Sequence, residues 1–500
     1  MTPEALATAE RLSFRMPEDG LRTVLDDATF ALMPRSRYEA LRDRGRVSFN
    51  GTEYRILDSL EVACCRTLLH AEDIHEGAEI WVLNDPRTPL IWRMKDNPLE
   101  VDWSFESLDP AYLAVKADPG RAGGTYHAYS YAAVGETAAP KGYKPFYVSH
   151  YGRHGSRYLT SDDRYARPLA FYRAQRKAGN LTALGEDFLR RLERLWTEVE
   201  GRGGLLSDLG ARQHREIAGR LLARYPSLFV PGAVVEASSS TSGRCRASMD
   251  AFCDSLLAAC PGISLTRRSD EETMAVLVPR NPQIDSIDNE HSPWRETLYA
   301  DFKASRIHPQ RLLRSLLRDP SCVPDSMAAA SDLYYLAMGM QDIPSAIDFD
   351  DLFTPEELYG ALRCVDTRMY YVNVAGTVGP ESVRPLLQDF LDKADAVVSG
   401  TSPAVATLRF GHDSILIRLL SLLGVQECAA QETDIDKYAD AWVGWQVSPM
   451  AANLQFIFYR GHGGVILKLL LNEQETTIPA LGPGPYYDWD AFRAYAEKKL

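Results

Sequence analysis

The side chains best suited to chemistry lie together in residues 144–158, whose sequence is KPFYVSHYGRHGSRY. The aromatic and β-branched residues 146–148 predict a buried strand, and the glycine that follows predicts a turn. This turn carries Arg153, His154 and Arg157. Ligands of open α/β sheets bind at the carboxyl ends of strands, and guanidinium groups match phosphate oxygens in shape and charge. An imidazole between two guanidinium groups therefore indicates phosphoryl transfer to His154, because the cations keep the ring neutral and nucleophilic.

Two later strands are predicted to end in the same way. Residues 233–237 (AVVEA) form the first of them, and a serine-rich turn then leads to Arg244 at the start of a helix. Residues 404–410 (AVATLRF) form the other, which leads to His412, Asp413 and an apolar helix. An arginine at a helix start can bind the same phosphate as the first turn. The histidine and the carboxylate supply a hydrogen-bond donor and a general acid.

The composition and net charge of the chain argue against several classes of binding partner. The chain has 500 residues and a net charge of −13 at pH 7, which argues against nucleic acid and anionic membranes. It has no stretch of about 18 apolar residues, so no membrane span is predicted, and residues 1–10 lack the features of a signal peptide. None of the eight cysteines lies in a C-x-x-C motif. We predict neither a metal nor a cofactor.

The chain is too long for one hydrophobic core. Residues 1–105 contain no catalytic constellation and are predicted to form a small N-terminal accessory domain. Residues 106–500 are predicted to form an α/β catalytic domain: a mostly parallel sheet flanked by helices, with an inserted helical cap. The segments of the α/β core are about 140–165, 229–270 and 400–500. The segments of the arginine-rich cap are about 166–228 and 300–400.

In order along the chain, these stretches resemble the histidine phosphatase superfamily, in the branch that holds acid phosphatases and phytases. They are most similar to multiple inositol polyphosphate phosphatases. The Arg-His-Gly-x-Arg motif, combined with a later His-Asp pair, is the most specific part of a resemblance that covers about residues 140–500. The matching stretches are 153–158 (RHGSRY), 206–210 (LSDLG), 243–252 (GRCRASMDAF), 352–357 (LFTPEE), 410–413 (FGHD), 448–453 (SPMAAN) and 465–473 (VILKLLLNE).

The resemblance implies a role for each candidate residue. His154 would be the nucleophile that becomes a phosphohistidine, and Asp413 would protonate the leaving oxygen and then activate water. It implies that the phosphoryl oxygens are bound by Arg153, Arg157, Arg244 and His412. The substrate would be a small phosphomonoester, favoured as an inositol polyphosphate because the cap is rich in arginine. Members are usually exported, which favours a periplasmic or secreted protein whose leader is absent from this chain over the alternative of a cytoplasmic protein.

One difference from the multiple inositol polyphosphate phosphatases leaves more than one class of substrate consistent with the sequence. Animal-type multiple inositol polyphosphate phosphatases have His-Ala-Glu at the position of His412 and Asp413. The His-Asp pair of this chain matches classical phytases and acid phosphatases instead. A broad acid phosphatase acting on sugar phosphates is therefore one alternative, and a catalytically inactive protein that binds inositol phosphates is another. A metal-dependent His-Asp phosphohydrolase would need further ligands, which the sequence does not indicate.

Overall fold

The computed structural model describes residues 2–13, 27–62, 66–75, 77–86, 88–96, 102–104, 109–133, 135–438 and 442–500. The chain divides into two compact units, Met1–Pro110 and Ala111–Leu500. Two of the eight cysteines, Cys64 and Cys65, lie outside the described residues. The six described cysteines form no disulfide.

The first unit is built on a six-stranded antiparallel meander with the order β3-β4-β5-β6-β7-β8. Its strands and helices are β1 (Arg11–Leu12), β2 (Ala28–Thr29), β3 (Arg46–Phe49), β4 (Thr52–Val62), β5 (Arg66–Asp73), β6 (Glu79–Leu83), β7 (Ile91–Lys95), β8 (Trp103–Ser104), α1 (Pro3–Thr8) and α2 (Arg35–Arg44). The buried and exposed residues of β3 alternate, as expected when one face of a sheet is covered. The buried side chains of Tyr38 and Leu41 on α2 belong to the core of this unit.

The second unit contains an eight-stranded sheet. Its strands are β9 (Lys144–Arg153), β10 (Val234–Ser239), β11 (Ser264–Arg268), β12 (Ala404–Gly411), β13 (Asn453–Gly461), β14 (Gly464–Leu471), β15 (Gln474–Thr476) and β16 (Tyr486–Asp488). The order is β11-β10-β12-β9-β13-β14-β15, and β16 also pairs with β14. The three strands predicted to carry the site are therefore neighbours.

The sheet is mixed, so the prediction of a mostly parallel sheet is wrong for one half of it. The strands β11, β10, β12 and β9 run parallel to one another. Every pairing from β9 through β13 to β16 is antiparallel. The short turn between Gly461 and Gly464 accounts for the β13–β14 pairing, because two strands joined by a tight hairpin must run in opposite directions.

Helices surround this sheet and extend beyond it. They are α3 (Pro110–Ala117), α4 (Asp163–Lys177), α5 (Ala183–Val199), α6 (Asp208–Arg224), α7 (Gly243–Ala259), α8 (Glu271–Leu277), α9 (Pro282–Asp288), α10 (Pro293–Glu296), α11 (Leu298–Arg306), α12 (Pro309–Leu316), α13 (Ser326–Gly339), α14 (Pro355–Asn373), α15 (Val378–Glu381), α16 (Arg384–Val398), α17 (Asp413–Leu423), α18 (Gly444–Val447) and α19 (Trp489–Glu497). The predicted start of α14 is confirmed, since Thr354 and Glu357 form a capping box there. None of the helices in the described part of the chain is long and apolar enough to cross a membrane.

A separate helical layer has a hydrophobic core of its own. Helices α4, α5, α12 and α13 and the first half of α14 contribute to it, with Leu189, Leu316, Leu333 and Leu358 among its buried residues. This layer lies in the part of the sequence that was predicted to form the cap. The buried residues of α5 recur on one face of the helix, and in this layer that face packs against other helices.

Two helices within the predicted cap range pack on the sheet instead. Ile217 and Leu221 of α6 share a buried cluster with Val235 of β10. Leu387 of α16 shares a cluster with Leu454 of β13. Each of these helices therefore flanks the sheet, because its apolar side is buried in a cluster that includes residues of a strand.

Candidate active site

The candidate residues come from the carboxyl ends of three neighbouring parallel strands. Residue Gly411 at the end of β12 pairs with Arg153 at the end of β9. On its other side, Phe410 of β12 pairs with Ser239 at the end of β10. The three turns that follow these strands therefore meet at one edge of the sheet, where ligands of α/β proteins bind.

His154 is held in one orientation by its backbone and its ring. The side chain is 2% exposed. Its backbone N–H donates to the Gly411 carbonyl at 3.0 Å, and its own carbonyl accepts from the N–H of Ala451 at 2.9 Å. Nδ1 lies 2.9 Å from the carbonyl oxygen of Gly155. A carbonyl can only accept, so Nδ1 carries the proton and Nε2 keeps a lone pair.

The surroundings of His154 keep its ring neutral. Burial lowers the pKa of His154 well below its usual value, and the positive charges of Arg153, Arg157 and Arg244 lower it further. A neutral ring with a free Nε2 is a nucleophile over the whole physiological pH range.

Arg153 is the most constrained of the three arginines. Its guanidinium is almost completely buried, at 1% exposure. Nη1 donates to the carbonyl of Ser448 at 2.7 Å and to the carbonyl of Thr125. Nη2 lies 3.0 Å from Oδ2 of Asp413. The two carbonyls therefore fix the plane in which Arg153 presents its remaining N–H groups.

Arg157 and Arg244 retain donors for a ligand. Arg157 donates Nη1 to the carbonyl of Tyr158 at 2.9 Å and lies 5.0 Å above the ring of Tyr126. Arg244 is the second residue of α7, at the N-terminal end of that helix. The buried Nε atoms of both arginines have no hydrogen-bond partner among the described residues. Donors of this kind are satisfied when an anion binds between them.

His412 and Asp413 begin α17. The ring centroids of His412 and His154 are 5.8 Å apart. Burial lowers the pKa of His412 to about 4, helped by Arg244, so this ring is also neutral. Burial would raise the pKa of Asp413, but the charge of Arg153 and a 2.8 Å bond from the N–H of Ser414 lower it overall. In the absence of a ligand, Asp413 is therefore a carboxylate at neutral pH.

All six candidate residues thus lie in one cluster: Arg153, His154, Arg157, Arg244, His412 and Asp413. The sequence profile of the histidine phosphatase superfamily (branch 2) matches residues 152–476, which include all of them. This chain belongs to that superfamily. The family and the enzyme class that the sequence predicted, a histidine phosphatase, are confirmed by this match.

Two solved structures of phosphatases share the fold of this chain. A multiple inositol polyphosphate phosphatase from Bifidobacterium longum, in complex with inositol hexasulfate, is 21% identical over 74% of this chain and 96% of its own, with a TM-score of 0.62. A phytase from D. castellii is 17% identical over 76% of this chain and 85% of its own, also with a TM-score of 0.62. No curated protein matches the sequence. At this identity the likeness establishes a shared fold.

Three further residues of this histidine phosphatase contact the cluster and were not anticipated from the sequence. Tyr126 lies beneath Arg157, and the hydroxyl of Tyr151 accepts from the N–H of His412 at 3.1 Å. Asp342 is completely buried, and burial raises its pKa to about 7 despite the nearby charges of Arg157 and Arg153. Tyr151 comes soon after the strand predicted at residues 146–148, so its position was a signal that could have identified it as a site residue. Tyr126 and Asp342 end short 3₁₀ helices that carry no sequence motif, so no signal pointed to them.

The phosphatase also has a cavity of about 330 Å³ between the helical layer and helices α10 and α11. None of the six candidate residues lines it. The walls come from helices α4 and α10 to α14 and from the segments between them, and they carry five cationic side chains and three tyrosines. The cations are Arg164, Arg295, Lys303, Arg306 and Arg368. Two of these, Arg295 and Arg368, are near Asp288 on α9, a helix outside the predicted cap segments.

Proposed function

We propose that this protein is a phosphomonoesterase that hydrolyses inositol polyphosphates through a phosphohistidine at His154. The observation that carries the proposal is the free Nε2 lone pair of a buried, neutral imidazole within the field of three guanidinium groups. Phosphoryl transfer needs a positioned nucleophile and stabilisation of the charge on the equatorial oxygens. Arg153, Arg157 and Arg244 are the groups proposed to supply that charge.

The proposed reaction has two steps. In the first, Nε2 of His154 attacks phosphorus, the P–N bond forms, and the bond to the leaving oxygen breaks as Asp413 protonates it. In the second, Asp413 takes a proton from water, the water oxygen attacks phosphorus, and the P–N bond breaks to release inorganic phosphate. His412 is proposed to donate a hydrogen bond to the phosphoryl group. No step requires a metal ion, because the guanidinium groups balance the charge.

Asp413 must be protonated for the first step, although Arg153 keeps its pKa low in the absence of a ligand. A bound phosphate places negative charge beside Asp413 and draws on the same guanidinium. Both effects raise the pKa of the carboxyl group. We therefore expect activity to be greatest under acidic conditions.

The cationic cavity supports a polyanionic substrate, and the B. longum relative is a multiple inositol polyphosphate phosphatase. In this proposal the helical layer serves as a cap over the substrate, and the first unit is an accessory module. The partner is a small molecule rather than a nucleic acid, consistent with a net charge of −13. A periplasmic or secreted location is proposed from the resemblance to exported phosphatases.

The proposal is tested by phosphate release from inositol hexakisphosphate and from glucose 1-phosphate, measured side by side with EDTA present. We expect faster release from the hexakisphosphate, and none with either substrate for His154→Ala. Preference for glucose 1-phosphate would keep the mechanism and replace the substrate class with that of a broad acid phosphatase. If neither substrate is hydrolysed, the chain is not the proposed enzyme.

A further inference from the structure

Ser240 is a buried residue of the turn between β10 and α7, and its hydroxyl contacts the candidate active site. The residue is completely buried. Its backbone N–H donates to the carbonyl of Phe410 at 2.9 Å, and its own carbonyl accepts from the hydroxyls of Ser239 at 3.0 Å and Ser269 at 3.2 Å. The hydroxyl oxygen lies 3.2 Å from Nε2 of His412. The backbone hydrogen bonds therefore hold this hydroxyl against one ring nitrogen of the histidine that is proposed to contact the phosphoryl group.

The proton of the Ser240 hydroxyl needs an acceptor, because buried donors are almost always hydrogen-bonded. In the part of the chain that the structure describes, Nε2 of His412 is the only nitrogen or oxygen atom that is hydrogen-bonded to this hydroxyl. The sulfur of Cys245 is also close, but a thiol is a weaker acceptor than an imidazole nitrogen, and its proton is donated to the carbonyl of Gly411 at 3.2 Å. The hydroxyl of Ser240 therefore donates to Nε2, and Nε2 carries a lone pair.

The lone pair on Nε2 decides which nitrogen of His412 carries the proton. Burial and the charge of Arg244 keep the ring neutral, and a neutral imidazole has one N–H group. With Nε2 as an acceptor, this N–H group is at Nδ1, which has no hydrogen-bond partner among the residues of described position. The ring centroid of His412 is 5.8 Å from that of His154. Nδ1 is therefore the nitrogen that can donate to a phosphoryl group at the nucleophile.

We propose that Ser240 is a positioning residue that fixes the tautomer of His412, so that the N–H group at Nδ1 is presented to the phosphoryl oxygens. The hydroxyl acts through His412 and does not itself contact the substrate. Without it the ring would divide between two tautomers, and in one of them a lone pair on Nδ1 would repel the phosphoryl oxygens. This inference rests on the proposed function, in which His412 donates a hydrogen bond to the phosphoryl group.

The test is a double-mutant cycle between Ser240→Ala and His412→Asn, with p-nitrophenyl phosphate as the substrate. In the protein with an intact His412, Ser240→Ala is expected to lower kcat/KM about tenfold, because alanine leaves both tautomers accessible. Asparagine has an amide N–H group near the position of Nδ1 and has no tautomers. In that background Ser240→Ala is therefore expected to lower kcat/KM by less than about twofold. Equal losses in both backgrounds would overturn the proposal, because a merely structural defect would reduce activity in both.

A second pair of variants identifies the nitrogen that faces the phosphoryl group. His412→Asn places an amide N–H group near the position of Nδ1, whereas His412→Gln places it near that of Nε2. We expect kcat/KM to be about tenfold higher in the asparagine variant than in the glutamine variant. Equal values or the opposite order would overturn the proposal. Thr241→Ala is the control for loss of a hydroxyl, since Thr241 is the next residue and is exposed, and its kcat/KM is expected to stay unchanged.

Phosphate binding separates this inference from the function itself. Calorimetric titration of inorganic phosphate into His154→Ala, with and without Ser240→Ala, is expected to show about tenfold weaker binding when the hydroxyl is removed. Equal binding would reject the role of Ser240 even if the unaltered protein hydrolyses phosphomonoesters. Absence of hydrolysis of both p-nitrophenyl phosphate and inositol hexakisphosphate by the unaltered protein would reject the proposed function instead.

Discussion

Nη2 of Arg153 lies 3.0 Å from Oδ2 of Asp413. The other nitrogen, Nη1, is tied to two backbone carbonyls, so the guanidinium cannot turn away from this position. One arginine thus contacts the proposed general acid and faces the proposed phosphate site. Binding of a phosphate and protonation of Asp413 are consequently coupled through a single side chain.

Replacing Asp413 is expected to slow hydrolysis by an amount that depends on the leaving group of the substrate. Asp413→Asn removes the proton donor, so hydrolysis of glucose 1-phosphate should slow by about 10²-fold or more. Hydrolysis of p-nitrophenyl phosphate should slow much less, because its leaving group needs little protonation. The measurement is kcat for both substrates. Asp301→Asn, on an exposed residue of α11, is the control, and equal losses for both substrates would exclude Asp413 as the acid.

Arg244 is expected to affect all monoesters alike. Arg244→Ala removes a donor for the phosphoryl oxygens, so kcat/KM should fall by about 10²–10³-fold whatever the leaving group. Arg246→Ala provides a matched control, since Arg246 is exposed two residues later on the same helix. A loss that followed the leaving group would contradict a role in binding the phosphoryl group.

Asp342 is expected to make stability depend on pH. Burial raises the pKa of its carboxyl group to about 7, so the folded state holds this proton more tightly than the unfolded state does. The contribution of Asp342 to the free energy of unfolding therefore decreases as pH rises from about 4 to 7, by roughly 4 kcal/mol at most.

The measurement is urea unfolding of the unaltered protein and Asp342→Asn at pH 5 and pH 7.5. The groups that face Asp342 are Arg153, Arg157, Tyr165 and the hydroxyl of Ser156. None of them changes in the variant, so the difference between the two proteins isolates this carboxyl group. We expect the asparagine variant to gain stability relative to the unaltered protein at the higher pH. A difference that does not depend on pH would contradict the prediction.

Gly210 is expected to be essential for the position of the catalytic turn. A Cβ atom at Gly210 would overlap the backbone oxygen of Ser156, and one at Gly155 would lie 2.5 Å from the carbonyl oxygen of Gly210. Gly210→Ala should therefore cost about 1–3 kcal/mol and lower activity by displacing the turn. Gly219→Ala is the control on the same helix, because a Cβ there meets no atom within 4 Å. That variant should be as stable or up to about 1 kcal/mol more stable.

The sequence was sufficient for the parts of the fold that depend on local patterns. The strands that precede Arg153, Arg244 and His412 were recognised from apolar runs followed by polar turns, and these are β9, β10 and β12. Their adjacency follows from the same pattern, because parallel strands present their carboxyl ends together. The capped start of α14 at Thr354 was recognised from its residue types alone.

The packing of elements that are distant in the sequence could not be predicted from local patterns. Helix α6 has the same kind of apolar stripe as α5, yet α6 packs on the sheet and α5 packs in the helical layer. The periodicity of apolar residues shows that a helix buries one side, but it does not show which element packs against that side. Asp342 illustrates the same limit, because its environment is formed by segments distant in the sequence, including Arg157.

The pairing of β9 has a consequence for how the protein is made. Both neighbours of β9 come from much later in the sequence: β12 begins at Ala404, and β13 ends at Gly461. During synthesis the strand that carries His154 therefore leaves the ribosome long before either partner exists. Its two edges remain without their strand partners while the segments of the helical layer are translated. The turn that carries the nucleophile is thus synthesised before the rest of the six-residue cluster, and His154 acquires its proton donor only after Asp413 has been added.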